Sequence, residues 1–170
     1  MATRRPGARS GPQLYSPEER ARRDASVWTL VQGVLAPLQF VAFLVSLALL
    51  LRFLASGAGE QAAMWSVVAK TALLYLIMVT GSIWEKVVFG RWLFAPAFYW
   101  EDVFSMLVLA LHSAYLLAWS TQTLDGRGLA WLALAAYASY VINAGQFLLK
   151  LRAARLEQAR TATPLQGARA

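Results

Sequence analysis

Four stretches of this chain are apolar for long enough to cross a lipid bilayer, and that decides most of what it can fold into. They lie near residues 27–53, 62–84, 103–120 and 129–149, each close to the ~20 residues a helix needs to span the hydrocarbon core. A backbone in lipid must satisfy its own hydrogen bonds, so runs of this length are helices. The expected architecture is all-α, an integral membrane bundle of four transmembrane helices over residues 27–150. A basic, flexible tail at 1–26 and a second basic tail at 151–170 flank it. Composition agrees, with 58% hydrophobic and 15% charged residues where a soluble domain carries roughly 45–50% and 25%. The first run is too long for the apolar core of a cleaved signal peptide and holds Gln32, Pro37 and Gln39, so it reads as a retained span.

The charges sort by position. Thirteen of the sixteen Lys and Arg fall in the N-terminal tail, the 85–102 connection (Lys86, Arg91) and the C-terminal tail, whereas the connections LASGAGEQ and TQTLDGRG and their flanks offer Arg52 and Arg127. Positive residues stay on the cytoplasmic side, so both termini and the 85–102 connection are expected there. A basic fringe around an apolar core suits anionic headgroups. Nucleic-acid binding would need a folded basic face, and the sequence offers none. With no cysteine, disulfides, thiolate catalysis and thiolate-bound metal are excluded. Within the first tail, SPEERARRD predicts a short interfacial helix with Ser16 as N-cap and Pro17 in its first turn.

Some polar residues sit where lipid should have excluded them. Lys70 and His112 each fall about eight residues from the outer end of their spans, roughly 12 Å deep, so they can meet across a helix interface. Glu101, Ser105 and His112 share one stripe of the third span, with Glu101 and His112 ~16 Å apart along it. Tyr137, Tyr140, Asn143 and Gln146 form a polar stripe on the fourth, and Gln32 and Gln39 on the first. A bundle closing round a polar cleft and a set of helix–helix hydrogen bonds are both compatible with this pattern.

The segment GSIWEKVVFGRWLFAPAFYWEDVF, residues 81–104, is the most unusual. It holds three acids, two bases and eight aromatic residues. Glu85 ends the second span while Glu101 and Asp102 begin the third, so three carboxyls converge at one depth. Asp102 and Glu101 suit a helix N-terminus, but Glu85 opposes the dipole at a C-terminus. Interfacial belts account for part of the aromatic content. Carboxyls set among aromatic rings and lipid are also what acid-assisted chemistry on a flat, apolar molecule requires.

Three stretches, YSPEERARRDASVWTLVQGVLAPLQF, KTALLYLIMVTGSIWEKVVFGRWLFAPAFYWEDVFSML and AAYASYVINAGQFLLKLRAARL, closely resemble the 3-vinyl bacteriochlorophyllide hydratase family of phototrophic bacteria. The resemblance runs from about Leu14 to Leu156, and the blocks WEKVVFG, FAPAF and WED are its most specific parts. It implies hydration of the ring-A vinyl group of a magnesium chlorin or bacteriochlorin to a 1-hydroxyethyl group, in a bacterial inner or photosynthetic membrane. Such an addition needs no redox cofactor. It needs an acid, a base that holds water and negative charge near a developing cation. The expected catalytic residues are Glu85 and Glu101, sharing the acid and water-positioning roles, with Asp102 as their electrostatic partner. His112 is either an axial ligand to the substrate's magnesium or a proton relay with Lys70. Lys86 and Arg91 are expected to bind the propionate, and Trp92, Phe94, Phe98 and Trp100 to pack on the macrocycle. The rival reading is a non-catalytic carrier or assembly factor for magnesium tetrapyrroles. Partners to be considered besides pigment and bilayer are a second copy of the chain and other pigment-synthesis enzymes.

Overall fold

The fold was established from a computed structural model, which describes residues 14–162, with side chains through residue 156. The expected tails fall outside it at residues 1–13 and 163–170. Five helices follow in order: α1 Pro17–Ala25, α2 Val27–Ser56, α3 Glu60–Phe89, α4 Tyr99–Thr121 and α5 Gly126–Ala162. The last four are long and apolar enough to cross a membrane. The chain is a four-span membrane bundle with one short helix in front.

Local chemistry sets the helix ends. Ser16 and Glu19 form a reciprocal capping box that starts α1, with Pro17 in the first turn. Ser26 ends α1 and caps α2 through Trp28 N–H. α2 then runs unbroken through Pro37 to a left-handed Gly57 (φ 71°), a conformation that costs glycine little. α3 stops in the same way at Gly90 (φ 77°). The observed helices outrun the apolar stretches at the C-terminal end of α2 and at both ends of α3, α4 and α5. The thirty residues of α3 make ~45 Å of helix, longer than the ~30 Å hydrocarbon core of a bilayer.

The bundle is built as two hairpins, α2 against α3 and α4 against α5, laid side by side. Small residues at Ala130, Ala133 and Ala136 are wholly buried and bring α5 close to its neighbours. Phe43, Leu50, Val67, Tyr115 and Tyr137 fill the space between the hairpins. Lipid gives no hydrophobic drive to helix association, so interhelical hydrogen bonds add specificity at about 0.6 kcal/mol each. Gln32 donates to Thr80 at 2.8 Å, Tyr137 to Ser46 at 2.6 Å and Asn143 to Ser105 at 2.8 Å.

α1 lies across the C-terminal end of α3. Arg22 Nε donates to the Val88 carbonyl at 2.8 Å, satisfying one of the acceptors that a helix C-terminus leaves free. Tyr15, just before α1, is buried against Phe89 and Phe98 with the Arg23 guanidinium 4.7 Å from its ring centre. Burial pushes its phenol above the ordinary tyrosine value.

Candidate functional site

Two groups of buried ionisable residues occupy different depths. The first is at the 90–98 connection, where α3 ends and α4 begins. Glu85 comes from the penultimate turn of α3 and Asp102 from the first turn of α4, and both are buried. Consecutive amides of the connecting loop hold the two carboxyls side by side. One proton on such a pair makes it a donor and an acceptor together.

The connecting loop grips this pair with its backbone. Phe94 N–H donates to Asp102 Oδ2 at 2.7 Å, and Ala95 N–H to Glu85 Oε2 at 3.2 Å. Consecutive amides can converge in this way because Phe94 is left-handed, with φ 59°. For a bulky residue that is a true outlier, costing on the order of 1–3 kcal/mol. The strain sits where the two amides meet the acids.

Glu101 turns elsewhere. Its Oε2 accepts from Lys150 Nζ at 2.6 Å, and the same ammonium donates to the Ala97 carbonyl. The expected pairing of Glu85 with Glu101 is therefore replaced by Glu85 with Asp102. The reason is helical geometry: adjacent residues diverge by about 100°, so Glu101 and Asp102 cannot both face α3. Sequence reasoning missed Lys150 as a partner, although Asn143, Gln146 and Lys150 follow one another at helical spacing.

Around the pair, the aromatic residues divide. Trp92 and Trp100 are 61% and 67% exposed, and Phe94 and Tyr99 are partly open beside them. Phe98 is only 2% exposed and packs among Tyr15, Trp84, Phe89 and Phe147. The expectation that Phe98 packs on a ligand is corrected: it is the core residue on which the loop rests. Lys86 and Arg91 are exposed, and Lys86 Nζ lies 5.9 Å from the Trp92 ring centre while donating to the Gly90 carbonyl. Two cations and an aromatic shelf thus border the buried acids.

The second group is inside the bundle. Lys70 and His112 are both fully buried, with Lys70 Nζ 2.8 Å from His112 Nε2. His112 Nδ1 lies 2.8 Å from the Val108 carbonyl. A carbonyl only accepts, so Nδ1 carries the hydrogen and Nε2 accepts from Lys70. Lys70 Nζ also lies 4.2 and 5.0 Å from the ring centres of Tyr140 and Tyr137. Both imidazole nitrogens are thereby engaged and the ring is covered, which removes the reading of His112 as an axial magnesium ligand. Eleven residues separate His112 from Glu101, about 16 Å along α4, so it does not join the acids either. Among the described residues no cluster of His, Asp and Glu could hold a metal ion.

Comparison with known proteins follows the same lines. Residues 15–153 match the family model described as 2-vinyl bacteriochlorophyllide hydratase. The chain is 66% identical over 146 residues to the 2-vinyl bacteriochlorophyllide hydratase of Rhodobacter capsulatus, covering 86% of this chain and 85% of that protein. It is 65% identical over 146 residues to the protein of the same name from Cereibacter sphaeroides, covering 85% and 90%. No solved structure matches.

Proposed function

From the premise that the chain belongs to the 2-vinyl bacteriochlorophyllide hydratase family, and is a hydratase of bacteriochlorophyll synthesis, we propose how its own residues add water to the pigment. The vinyl numbered 2 in those names is the ring-A vinyl numbered 3 above. The observation that carries the proposal is the buried Glu85–Asp102 pair held by consecutive loop amides.

Asp102 takes the shorter of the two backbone bonds, which favours charge on that carboxyl, so Glu85 is the proton donor. Its proton goes to the terminal vinyl carbon, which becomes a methyl group. The cation left beside the ring is delocalised over the macrocycle and stabilised by the Asp102 carboxylate. Water attacks that carbon, and its surplus proton returns to the carboxyl pair. The balance is one vinyl group plus one water giving one 1-hydroxyethyl group, with the pair restored.

Binding falls to the rim. Lys86 and Arg91 meet the propionate, and Trp92, Phe94 and Trp100 lie against the macrocycle. Access runs through the 90–98 connection, where the strained Phe94 turn has the least to lose by moving. Glu101, bound to Lys150, holds the start of α4 against α5 instead of reacting. The asymmetry of Lys and Arg supports placing this site, and both termini, on the cytoplasmic face of the photosynthetic bacterial membrane.

The test is to incubate the protein in lipid with chlorophyllide a or its bacteriochlorin counterpart in 18O-labelled water. Label is expected at the new alcohol, and Glu85→Gln is expected to abolish its appearance. Label appearing at the wild-type rate in both Glu85→Gln and Asp102→Asn overturns the assignment.

A further inference from the structure

The reaction consumes water, and the bundle interior holds buried polar groups to which a water could bind. Gln39 of α2 is 2% exposed, yet neither its Nε2 nor its Oε1 has a hydrogen-bond partner among the described residues. Asn143 of α5 is 9% exposed, and its Oδ1 is likewise unpartnered, although its Nδ2 reaches Ser105. Gln146 Oε1, one turn further along α5, is buried without a partner as well.

Gln39 and Asn143 come to one level of the bundle, with Gln146 a turn beyond. Phe43 of α2 packs on Tyr137 and Tyr140 of α5. The two helices are antiparallel, so stepping back one turn from Phe43 to Gln39 corresponds to stepping forward from Tyr140 to Asn143. Gln39 also belongs to the buried stripe of α2 that continues through Phe43, Ser46 and Leu50. On the α4 side, Ser105 and Glu101 continue the polar line, and Lys150 closes it at the boundary with its side chain 29% exposed. The line thus runs from amides deep between the hairpins to a partly open ammonium beside the acids. Orphaned amide groups in a lipid-embedded interior are costly, and a small polar space with several donors and acceptors is where a buried water binds.

We propose that Gln39, Asn143 and Gln146 form an internal water-binding site between the two hairpins, which supplies the reacting water through Glu101 and Lys150 to the Glu85–Asp102 pair. Water suits the site by its hydrogen bonding, since it offers a donor to Asn143 and Gln146 and both functions to Gln39. The binding part stands on the geometry alone, whereas the supply role rests on the hydratase mechanism above.

The full chain, in bilayers and with its Asn and Gln side-chain amides 15N-labelled, tests this by water-edited solid-state NMR. Gln39→Leu and Asn143→Leu identify the two signals by their loss. Magnetisation is expected to pass from water to the Gln39 amide as it does to the exposed Gln61. No transfer to Gln39 while Gln61 responds overturns the site, whatever the chemistry. In turnover assays Gln39→Leu is expected to lower kcat about tenfold with the pigment KM unchanged, and Gln39→Asn, which keeps an amide, to recover much of it. A wild-type kcat in both leucine variants overturns the supply role and leaves the carboxyl mechanism standing. Wild-type turnover in Glu85→Gln alongside a positive water signal does the reverse.

Discussion

The Lys70–His112 node and the Glu85–Asp102 pair are both buried, ionisable and contributed by α3 and α4, yet they are made differently. At the node, each partner is set on a regular helix turn and enclosed: the Lys70 amine on the imidazole, the imidazole on the Val108 carbonyl, and two tyrosine rings around Nζ. At the acid pair, two carboxyls are brought together and held by a loop, at the expense of a left-handed Phe94. Both ring nitrogens of His112 are taken up and both residues are fully buried, and their contact joins one hairpin to the other. On the proposed mechanism the pair holds one proton, and giving it to the substrate leaves two carboxylates whose charge the new cation offsets. Buried charge alone does not identify a reactive site; the difference lies in whether the neighbours complete it.

Substitutions can break this contrast. The largest effect is expected from Glu85→Gln and Asp102→Asn, each lowering turnover by at least ~100-fold with an unchanged thermal midpoint. Glu101→Gln, whose carboxyl serves Lys150, should cost clearly less. An equal loss at Glu101 would show that all three carboxyls act together. Next comes Lys70→Met, which strands the His112 Nε2 acceptor and should destabilise by ~1–3 kcal/mol, read as a lower thermal midpoint in a lipid mimic. Turnover at a permissive temperature should stay within a few-fold. The double variant Lys70→Met with His112→Leu should recover much of the stability, since apolar pairs of similar volume replace buried polar pairs well. A hundredfold kinetic loss in either variant, with stability intact, would make the node a proton relay.

Smaller effects concern the loop and rim. Phe94→Gly removes the strain as well as the ring, so the midpoint should hold or rise while pigment KM increases several-fold. A fall in stability would mean that the ring's contacts outweigh the backbone cost. Smallest is Arg91→Ala, an exposed charge worth no more than about 1 kcal/mol, hence up to about fivefold in KM for the free propionate and no change for its methyl ester. The ester serves as the control.

Much of this was legible in the residues because membrane helices follow rules that act over single segments. The four apolar runs, the Ser16–Pro17 start and the matched depths of Lys70 and His112 all follow from length, capping and rise per residue. The make-up of the acid pair does not, because Glu101 and Asp102 are neighbours in sequence and point to different helices. Which of them meets Glu85 depends on the rotation of α4, and that is set by Lys150 from a helix fifty residues away. Phe98 was misjudged for a similar reason. Its environment is made by Tyr15 and Phe147 from the two extremes of the described chain, which no local pattern reports.

The Arg22 bond to the Val88 carbonyl falls three residues from Glu85, in the closing turn of α3. The short leading helix therefore grips the very turn that carries one of the paired acids, and Tyr15 beside it wedges against Phe89 and Phe98 under the loop. A segment that crosses nothing itself thus serves as the buttress on which the spacing of the two acids depends.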